Sequence, residues 1–307
     1  MPAPERLPAP GVSVPGELEE LLARGELTVV GRIREASNAV LLCSVAYEGA
    51  TLECVYKPVK GERPLWDFPD GNLARREVAA YLVSEATGWG LVPPTVLREG
   101  PYGEGMVQQW IASPAAQRPE DGGPEPAPAA DPAAAPAAGT GAGAPPRAEL
   151  LALVDGEEAG EGWKPIAFAE VGEGRTALLV HADDPGLRRL AVLDAVINNG
   201  DRKGGHLLSA PDGRLYGIDH GVSFHTEDKL RTLLWGWAGE PLTDEARAVL
   251  ASLADRLADG EPLATRLGEL ITPAELAAVR ARVARLRASE VHPQPSGQWP
   301  AIPWPPI

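Results

Sequence analysis

The stretch that decides the fold is NGDRKGGHLLSAPDGRLYGIDHG, residues 199–221. It holds a polar, glycine-rich loop, a short apolar run, a Pro-Asp-Gly turn and a second short run, which is the pattern of a loop followed by a β-hairpin. His206 and Asp219 stand at the open ends of the two predicted strands. We therefore expect their side chains to lie close together, with Asp201 on the same loop five residues before His206.

These three side chains are of the kinds that phosphoryl transfer requires. That reaction needs a carboxylate near the attacking hydroxyl and ligands that hold a metal on the phosphates, with little covalent chemistry from the protein. Asp201 would supply the first, and His206 and Asp219 the second. Each piece alone also fits an ordinary surface loop or strand end. The interpretation therefore depends on the order of several motifs along the chain.

Residues before this stretch alternate between apolar and polar side chains, which predicts a β-rich N-terminal region. A turn at Glu48-Gly49 would place residues whose numbers sum to 97 opposite each other, so Cys43 would face Cys54. We interpret these two residues as small apolar core residues rather than a disulfide. The predicted elements are a helix at 17–24, strands at 27–33, 39–47 and 51–58, a helix at 73–87, and strands at 96–97 and 105–111.

Asp201-Arg202-Lys203-x-x-His206 followed by Ile218-Asp219-His220-Gly221 resembles the catalytic and metal-binding loops of the phosphatidylinositol 3- and 4-kinase superfamily. The closer match is to the type II phosphatidylinositol 4-kinase branch and its actinobacterial relatives. That superfamily writes Asp-Arg where ordinary protein kinases write the reverse order. The resemblance implies an α+β, bilobal, protein-kinase-like fold with a β-rich N-terminal lobe and a mainly helical C-terminal lobe. It also implies a kinase that uses ATP with Mg²⁺ or Mn²⁺.

Carried over residue by residue, the resemblance makes Asp201 the catalytic aspartate, with Arg202 and Lys203 beside it in the catalytic loop. Asp219 becomes a metal ligand, and His206 stands at the second metal-binding position. The superfamily usually has Asn there, and imidazole suits softer divalent ions better than Mg²⁺. Three interpretations stay open: His206 is a ligand that tolerates Mn²⁺, it orients a ligand from behind, or catalysis has been lost.

The resemblance also assigns residues to the nucleotide. Lys57, in Val55-Tyr56-Lys57-Pro58, resembles the lysine that contacts the α- and β-phosphates, and Glu77 falls where its helix partner should be. The loop at 34–38 lacks a glycine repeat, so a phosphate cradle and a plain turn fit it about equally well. The remaining candidates are Ser37 and Asn38 near the phosphates, and Gln108, Gln109 and Trp110 at an interlobe hinge around the adenine.

Composition and charge exclude several function classes. The chain has 307 residues, of which 44% are hydrophobic and 23% charged, as is ordinary for a globular protein. The net charge of −15 argues against nucleic-acid binding and against stable association with an anionic membrane. The sequence shows no signal-peptide pattern and no apolar run of roughly 18–20 residues. We therefore expect a cytoplasmic protein.

Composition also suggests the domain boundaries. Residues 113–148 are nearly all Ala, Pro and Gly, which predicts a disordered insertion between the lobes, acting as a plain tether or in regulation. The tail is either disordered or a strap over the core. We expect a disordered N-terminus at 1–16, a nucleotide-binding lobe at 17–112, the insertion at 113–148, a catalytic lobe at 149–290 with helices at 185–198, 243–259 and 273–289, and a Pro/Trp tail at 291–307.

The expected function is phosphate transfer from ATP to a hydroxyl acceptor. A protein side chain or a small cytosolic molecule is favoured over a membrane lipid because of the charge. The alternatives are a nucleotide-binding pseudokinase and a non-kinase scaffold that binds through the insertion and the tail. Trp235 and Trp237 are interpreted as core anchors, with a substrate groove as the other possibility.

Overall fold

The computed structural model describes residues 15–33, 38–112, 149–172 and 175–306. The predicted α+β architecture, with a β-rich N-terminal lobe and helices in the C-terminal lobe, is confirmed. The N-terminal elements are α1 (Pro15–Arg24), β1 (Glu26–Arg32), β2 (Leu41–Tyr47), β3 (Ala50–Pro58), α2 (Leu73–Thr87), β4 (Thr95–Gly100) and β5 (Gly103–Gln109). The C-terminal elements are β6 (Leu151–Val154), β7 (Trp163–Glu170), β8 (Thr176–Ala182), α3 (Pro185–Ile197), β9 (Leu207–Ser209), β10 (Leu215–Gly217), α4 (Asp244–Arg256), α5 (Pro262–Gly268) and α6 (Pro273–Ser289).

The N-terminal sheet is antiparallel, with the strand order β1-β2-β3-β5-β4. Cys43 pairs with Cys54 across β2 and β3, as the predicted turn requires. Both cysteines are free and fully buried. Burial raises the pKa of the Cys43 thiol to about 11 and that of Cys54 to about 12. The pair therefore serves as apolar core, as predicted.

The two faces of this sheet carry different helices. Leu21 and Leu22 of α1 pack against the face that holds Cys54 and Tyr56. The opposite face holds Met106, which packs against α2, and Met106 pairs with Lys57 across β5 and β3. Because directly opposed residues point to the same face of a sheet, Lys57 lies on the side covered by α2.

The C-terminal lobe is built around α3, α4 and α6, whose apolar faces share one core. Trp237 is fully buried and Trp235 nearly so, which confirms them as core anchors. The start of α6 is also as predicted: Thr272 Oγ1 accepts a hydrogen bond from Glu275 N (3.2 Å), and Glu275 Oε2 accepts one from Thr272 N (2.8 Å).

The expectation of a mainly helical lobe omitted one sheet. Strands β6, β8 and β7 form a three-stranded antiparallel sheet, in that order, before α3. The short helix α5 was also not predicted. None of the helices in the described ranges is long and apolar enough to cross a bilayer.

The tail is a strap rather than a disordered end, so the alternative left open is resolved over residues 291–306. His292 N donates to Glu240 O (2.9 Å), Thr232 N donates to Ala301 O (3.0 Å), and Gly204 N donates to Pro306 O (2.9 Å). The strap thus crosses the C-terminal lobe and ends against the glycine-rich loop. The predicted disordered insertion at 113–148 lies outside the described residues, as do Ser37 and residues 1–14 of the N-terminus predicted to be disordered at 1–16. Pro15 and Gly16, the last two residues of that predicted segment, instead form the start of α1.

Candidate functional site

The hairpin closes as the sequence predicts. Strands β9 and β10 pair antiparallel, with Tyr216 opposite Leu208, and the turn passes through Gly213 at a φ of 80°. Beyond the paired strands, Ile218 N donates to the carbonyl of His206 (3.0 Å). His206 Nε2 then lies 3.3 Å from Asp219 Oδ2. The predicted proximity of His206 and Asp219 is therefore confirmed.

Lys57 connects the hairpin to the N-terminal lobe. Its Nζ lies 2.7 Å from Glu77 Oε1 on α2 and 2.8 Å from Asp219 Oδ1. Burial lowers the pKa of Lys57, but the carboxylates of Asp219 and Glu77 outweigh burial, so the pKa is raised overall. One ammonium group thus joins a strand, a helix and the end of the hairpin. Three motifs that are distant in sequence meet at this point.

Asp219 is held in an unusual backbone conformation. Its φ is 61°, the left-handed region that a residue other than glycine rarely adopts and that is common at functional sites. The next peptide is fixed from the other lobe, because His220 N donates to Glu77 Oε2 (2.9 Å). The ammonium of Lys57 lowers the pKa of Asp219, so this carboxylate is charged at neutral pH. Burial raises the pKa of Glu77.

Arg202 lies beneath the site, where its side chain is fully buried. Its guanidinium binds both carboxylate oxygens of Asp194 on α3, at 2.9 Å each, and donates to the carbonyl of Ile218 (2.8 Å). Its Nη2 is also 2.6 Å from His220 Nε2. Because arginine only donates, the imidazole nitrogen must accept, and burial lowers the pKa of His220 well below its usual value. Arg202 is therefore placed to position the loop and not to touch a substrate.

Asp201 stands at the surface of this buried network. Its backbone N–H donates to Asn199 Oδ1 (3.0 Å), and Asn199 Nδ2 donates in turn to Asp194 Oδ1 (3.0 Å). The side chain is 27% exposed, and Lys203 Nζ lies 3.1 Å from Asp201 Oδ2. Asp201 thus combines a rigid backbone with an accessible carboxylate and a neighbouring cation.

Sequence reasoning missed two members of the network, Asp194 and His220. Asp194 lies on a helix face that otherwise carries leucines, and it is fully buried. An acid in an apolar stripe requires a buried cation as partner, which was the available signal. His220 offered none, because its role depends on a contact with Arg202 made through the tertiary fold.

The proposed adenine hinge lies where β5 leaves the sheet. Ile111, which directly follows Trp110, packs with Leu208 and Tyr216 of the hairpin. The side chain of Gln108 is buried and donates to Thr95 Oγ1 (2.8 Å). The backbone N–H of Gln109 donates to the carbonyl of Pro94 (2.9 Å), and that of Trp110 donates to the carbonyl of Glu53 (3.0 Å). In the predicted phosphate loop, Asn38 Oδ1 accepts a hydrogen bond from Arg63 N (3.0 Å). The side chain of Gln108 is therefore used within the sheet.

The candidate metal ligands are few. Within the described ranges, no group of three or more His, Cys, Asp or Glu side chains is placed to hold an ion. His206 Nδ1 faces Lys203 N (3.5 Å), a contact that favours the tautomer with the proton on Nε2, towards Asp219. A metal ion held on phosphates takes one or two protein carboxylates and completes its shell with phosphate oxygens and water. Asp219 fits that pattern, and His206 is placed to orient Asp219 or, after a change of tautomer, to join it.

Comparisons with known proteins give one close relative. No family model matches the chain. Protein Rv2133c of Mycobacterium tuberculosis is 49% identical over 285 residues, which are 93% of this chain and 94% of that protein.

Solved structures of similar shape are more distant. The Golgi casein kinase with Mn/ADP bound is 13% identical, with a TM-score of 0.48, over 95% of this chain and 80% of that chain. Hydra Fam20 with sugar is 12% identical, with a TM-score of 0.47, over 89% and 87%. The Helicobacter pylori proinflammatory kinase CtkA is 10% identical, with a TM-score of 0.38, over 88% and 94%.

Proposed function

The chain belongs to the same family as protein Rv2133c of Mycobacterium tuberculosis, and we propose that it is a phosphotransferase that moves the γ-phosphate of ATP to a hydroxyl acceptor. The observation that carries the proposal is the convergence of Lys57, Glu77 and Asp219 within hydrogen-bond distance of one ammonium group. A buried Lys–Glu pair beside an aspartate of a metal-binding loop is the arrangement that positions a nucleotide in kinases.

The chain's own residues have separate tasks in this reaction. Lys57, held by Glu77, binds the α- and β-phosphates when they displace Asp219 from its ammonium. Asp219 would hold the divalent metal ion, with His206 beside it. When bound, Mg²⁺ or Mn²⁺ neutralises charge on the phosphates. The backbone at Asp219 and His220 is fixed, so the Asp219 carboxylate would need no rearrangement of the loop to meet the metal ion.

Asp201 acts at the acceptor. Its carboxylate accepts a hydrogen bond from the attacking hydroxyl, orients that oxygen on the γ-phosphorus and takes its proton as the new P–O bond forms. The bond between the γ-phosphorus and the oxygen that bridges it to the β-phosphate breaks, and ADP leaves. We assign to Lys203, whose Nζ lies 3.1 Å from Asp201 Oδ2, the role of stabilising charge on the transferred group. Arg202 holds the loop against the hairpin through its hydrogen bond to the carbonyl of Ile218.

We also propose that the chain belongs to the phosphatidylinositol 3- and 4-kinase superfamily. The support for this kinship is the Asp201-Arg202-Lys203-x-x-His206 motif together with Ile218-Asp219-His220-Gly221. We propose a protein side chain or a small molecule as acceptor, because a net charge of −15 opposes contact with anionic lipid. The five segments with boundaries at 16, 112, 148 and 290 remain our proposed domain division.

Turnover of radiolabelled ATP tests the function. The wild-type chain, with Mg²⁺ or Mn²⁺ and a mixture of hydroxyl acceptors, should transfer or hydrolyse the γ-phosphate. Asp201→Asn should reduce the rate by about 10²–10⁴-fold, as loss of a positioned base does, while leaving ATP binding intact. The exposed Asp212→Asn serves as the matched control. A wild-type rate no higher than that of Asp201→Asn would exclude the enzymatic function.

A regulatory, catalytically impaired pseudokinase is the second candidate. The contact of His206 with Asp219 favours it, because a histidine occupies the place where the related kinases have asparagine. That function predicts ATP binding without turnover, and it predicts that His206→Asn gains phosphate transfer. Turnover by the wild-type chain would exclude it.

A further inference from the structure

Two indole side chains stand out on the surface. Trp66 and Trp304 are each 83% exposed, the highest values among the large hydrophobic side chains of the described residues. An isolated exposed apolar side chain is common on protein surfaces, whereas several exposed rings in one region mark an interaction site. Trp304 lies in the strap that ends against the catalytic loop, and Trp66 packs on Lys229, two residues before Arg231, which bonds to that loop.

Trp304 is placed there by the strap. Pro306, two residues further on, accepts a hydrogen bond from Gly204 N in the catalytic loop (2.9 Å). Earlier in the strap, Ala301 O accepts from Trp235 Nε1 (2.8 Å) and from Thr232 N (3.0 Å). The strap is thus fixed on both sides of Trp304.

Trp66 and a third indole, Trp299, meet at Lys229. The Lys229 ammonium lies 5.2 Å from the ring centre of Trp66 and 4.5 Å from that of Trp299, and it is paired with Asp67 Oδ2 (2.9 Å). Its backbone N–H donates to Asn198 Oδ1 (3.0 Å), directly before the catalytic loop. Arg231, two residues further on, exchanges backbone hydrogen bonds with Asn199 and Arg202 of the catalytic loop (2.9 and 3.0 Å). Trp66, Trp299 and Trp304, here called the aromatic rim, therefore belong to or pack on segments that adjoin the loop that carries Asp201.

The protein itself shows what chemistry this rim accepts. An ammonium group over an indole face is stabilised by the ring quadrupole, and Lys229 makes that contact with two of the three rings. The chain's net charge of −15 would also draw cations towards it. Glu227, whose side chain is 75% exposed and whose Oε2 lies 3.9 Å from Lys229 Nζ, adds a negative charge near the rim.

We propose that the aromatic rim binds lysine or arginine side chains of the phosphoryl acceptor, which makes the acceptor a cationic polypeptide segment with a Ser, Thr or Tyr hydroxyl. This inference rests on the proposed function, because the bound segment is a phosphoryl acceptor only if the protein transfers phosphate. The rim's affinity for cationic peptides is measurable without ATP.

Fluorescence anisotropy with three labelled peptides tests the inference in the absence of nucleotide. Each peptide carries one serine, flanked by arginines, by glutamines or by glutamates. The arginine peptide should bind the full chain at least tenfold more tightly than the other two, and less tightly as salt rises. Trp304→Ala and Trp66→Ala should each weaken its binding about three- to tenfold, with Trp304→Phe in between. Tyr102→Ala, in the exposed β4–β5 turn, is the matched control and should bind as the wild type does.

The outcomes separate the two proposals. Equal binding of the three peptides, or unchanged binding by both tryptophan variants, overturns the inference even where ATP binds. Quenching of tryptophan fluorescence by neutral oligosaccharides, with no response to the arginine peptide, overturns it in favour of a sugar acceptor. Peptide binding by a chain that neither binds nor turns over ATP overturns the proposed function and leaves the peptide site. In the active enzyme, Trp304→Ala should raise the KM for the arginine peptide and leave the KM for ATP unchanged.

Discussion

At the scale of single residues, the site depends on charges that compensate one another away from water. Glu77 is only 2% exposed, and its stability as a carboxylate requires the Lys57 ammonium 2.7 Å away. Removing one partner of such a pair leaves an uncompensated buried charge, which costs more than the pair contributes. The double variant removes both charges and avoids that cost.

Lys57→Met should therefore lower the free energy of unfolding by on the order of 1–3 kcal/mol. Adding Glu77→Gln to it should restore part of the loss, so the two effects should not add. Urea denaturation of the four chains in the cycle measures this coupling. Lys60→Met, which changes a nearby lysine, is the control. Additive losses would show that the pair contributes no coupling.

Arg202 allows a second prediction at this scale. Its planar guanidinium binds both oxygens of the fully buried Asp194, a geometry that lysine cannot reproduce. Arg202→Lys should lower stability by roughly 2–4 kcal/mol and reduce kcat with little change in the KM for ATP. The exposed pair of Arg214 and Asp212 provides the control, since Arg214→Lys should change neither quantity appreciably. A wild-type melting curve for Arg202→Lys would contradict this account.

The sequence was informative about residues whose motifs are local. Lys57, Glu77 and Asp219 could be singled out because each lies in a short pattern of predictable structure. Asp194 and His220 could not, because their importance arises where α3 meets the hairpin. The burial of Arg202 was also not predictable, since a charged residue in a glycine-rich loop is usually exposed.

At the scale of elements, period-two alternation located the five strands of the N-terminal sheet, although it gave β4 only as residues 96–97 instead of Thr95–Gly100. The predicted turn at Glu48-Gly49 gave the Cys43–Cys54 register. Alternation failed for the sheet of β6, β7 and β8. Strand β8, TALLVHA, is buried along nearly its whole length, and a short apolar run of that kind cannot be told from a buried helix. Strand β7 contains Pro165, which lowers the strand signal.

The buried histidine of β8 gives a prediction about pH. His181 Nε2 accepts from Gly236 N (3.0 Å) and its Nδ1 faces Ala182 O (2.9 Å), so the neutral ring is satisfied on both sides. Burial lowers the pKa of His181 to about 4, against about 6.5 in the unfolded chain. The unfolded state therefore binds more protons between these values, and stability should fall as pH drops from 6.5 to 4.

The loss due to His181 should reach on the order of 3 kcal/mol at pH 4. His181→Gln should flatten the dependence, and His292 should account for part of the remaining slope, because burial also lowers its pKa to about 4. Urea denaturation at several pH values between 7 and 4 measures both. An unchanged slope in His181→Gln would contradict the assignment.

At the scale of the whole molecule, a few contacts set how the lobes meet. Arg76 on α2 binds Glu275 at the start of α6 (2.5 Å), and both side chains are buried. Lys57 binds Asp219, and Lys229 binds Asp67, across the same boundary. The position of α2, and with it Glu77, is therefore coupled to the C-terminal lobe. A nucleotide bound at Lys57 and Asp219 would engage both lobes at once.

The most direct test of the account is the thermal stability of the chain with ATP and either Mg²⁺ or Mn²⁺. A ligand that binds the folded state at 100 times its Kd adds about 2.7 kcal/mol, so Tm should rise by several degrees. Asp219→Ala should abolish the rise, whereas the exposed Asp212→Ala should retain it. No ATP-dependent rise with either metal ion, or an equal rise in Asp219→Ala, would contradict the nucleotide site at Lys57, Glu77 and Asp219.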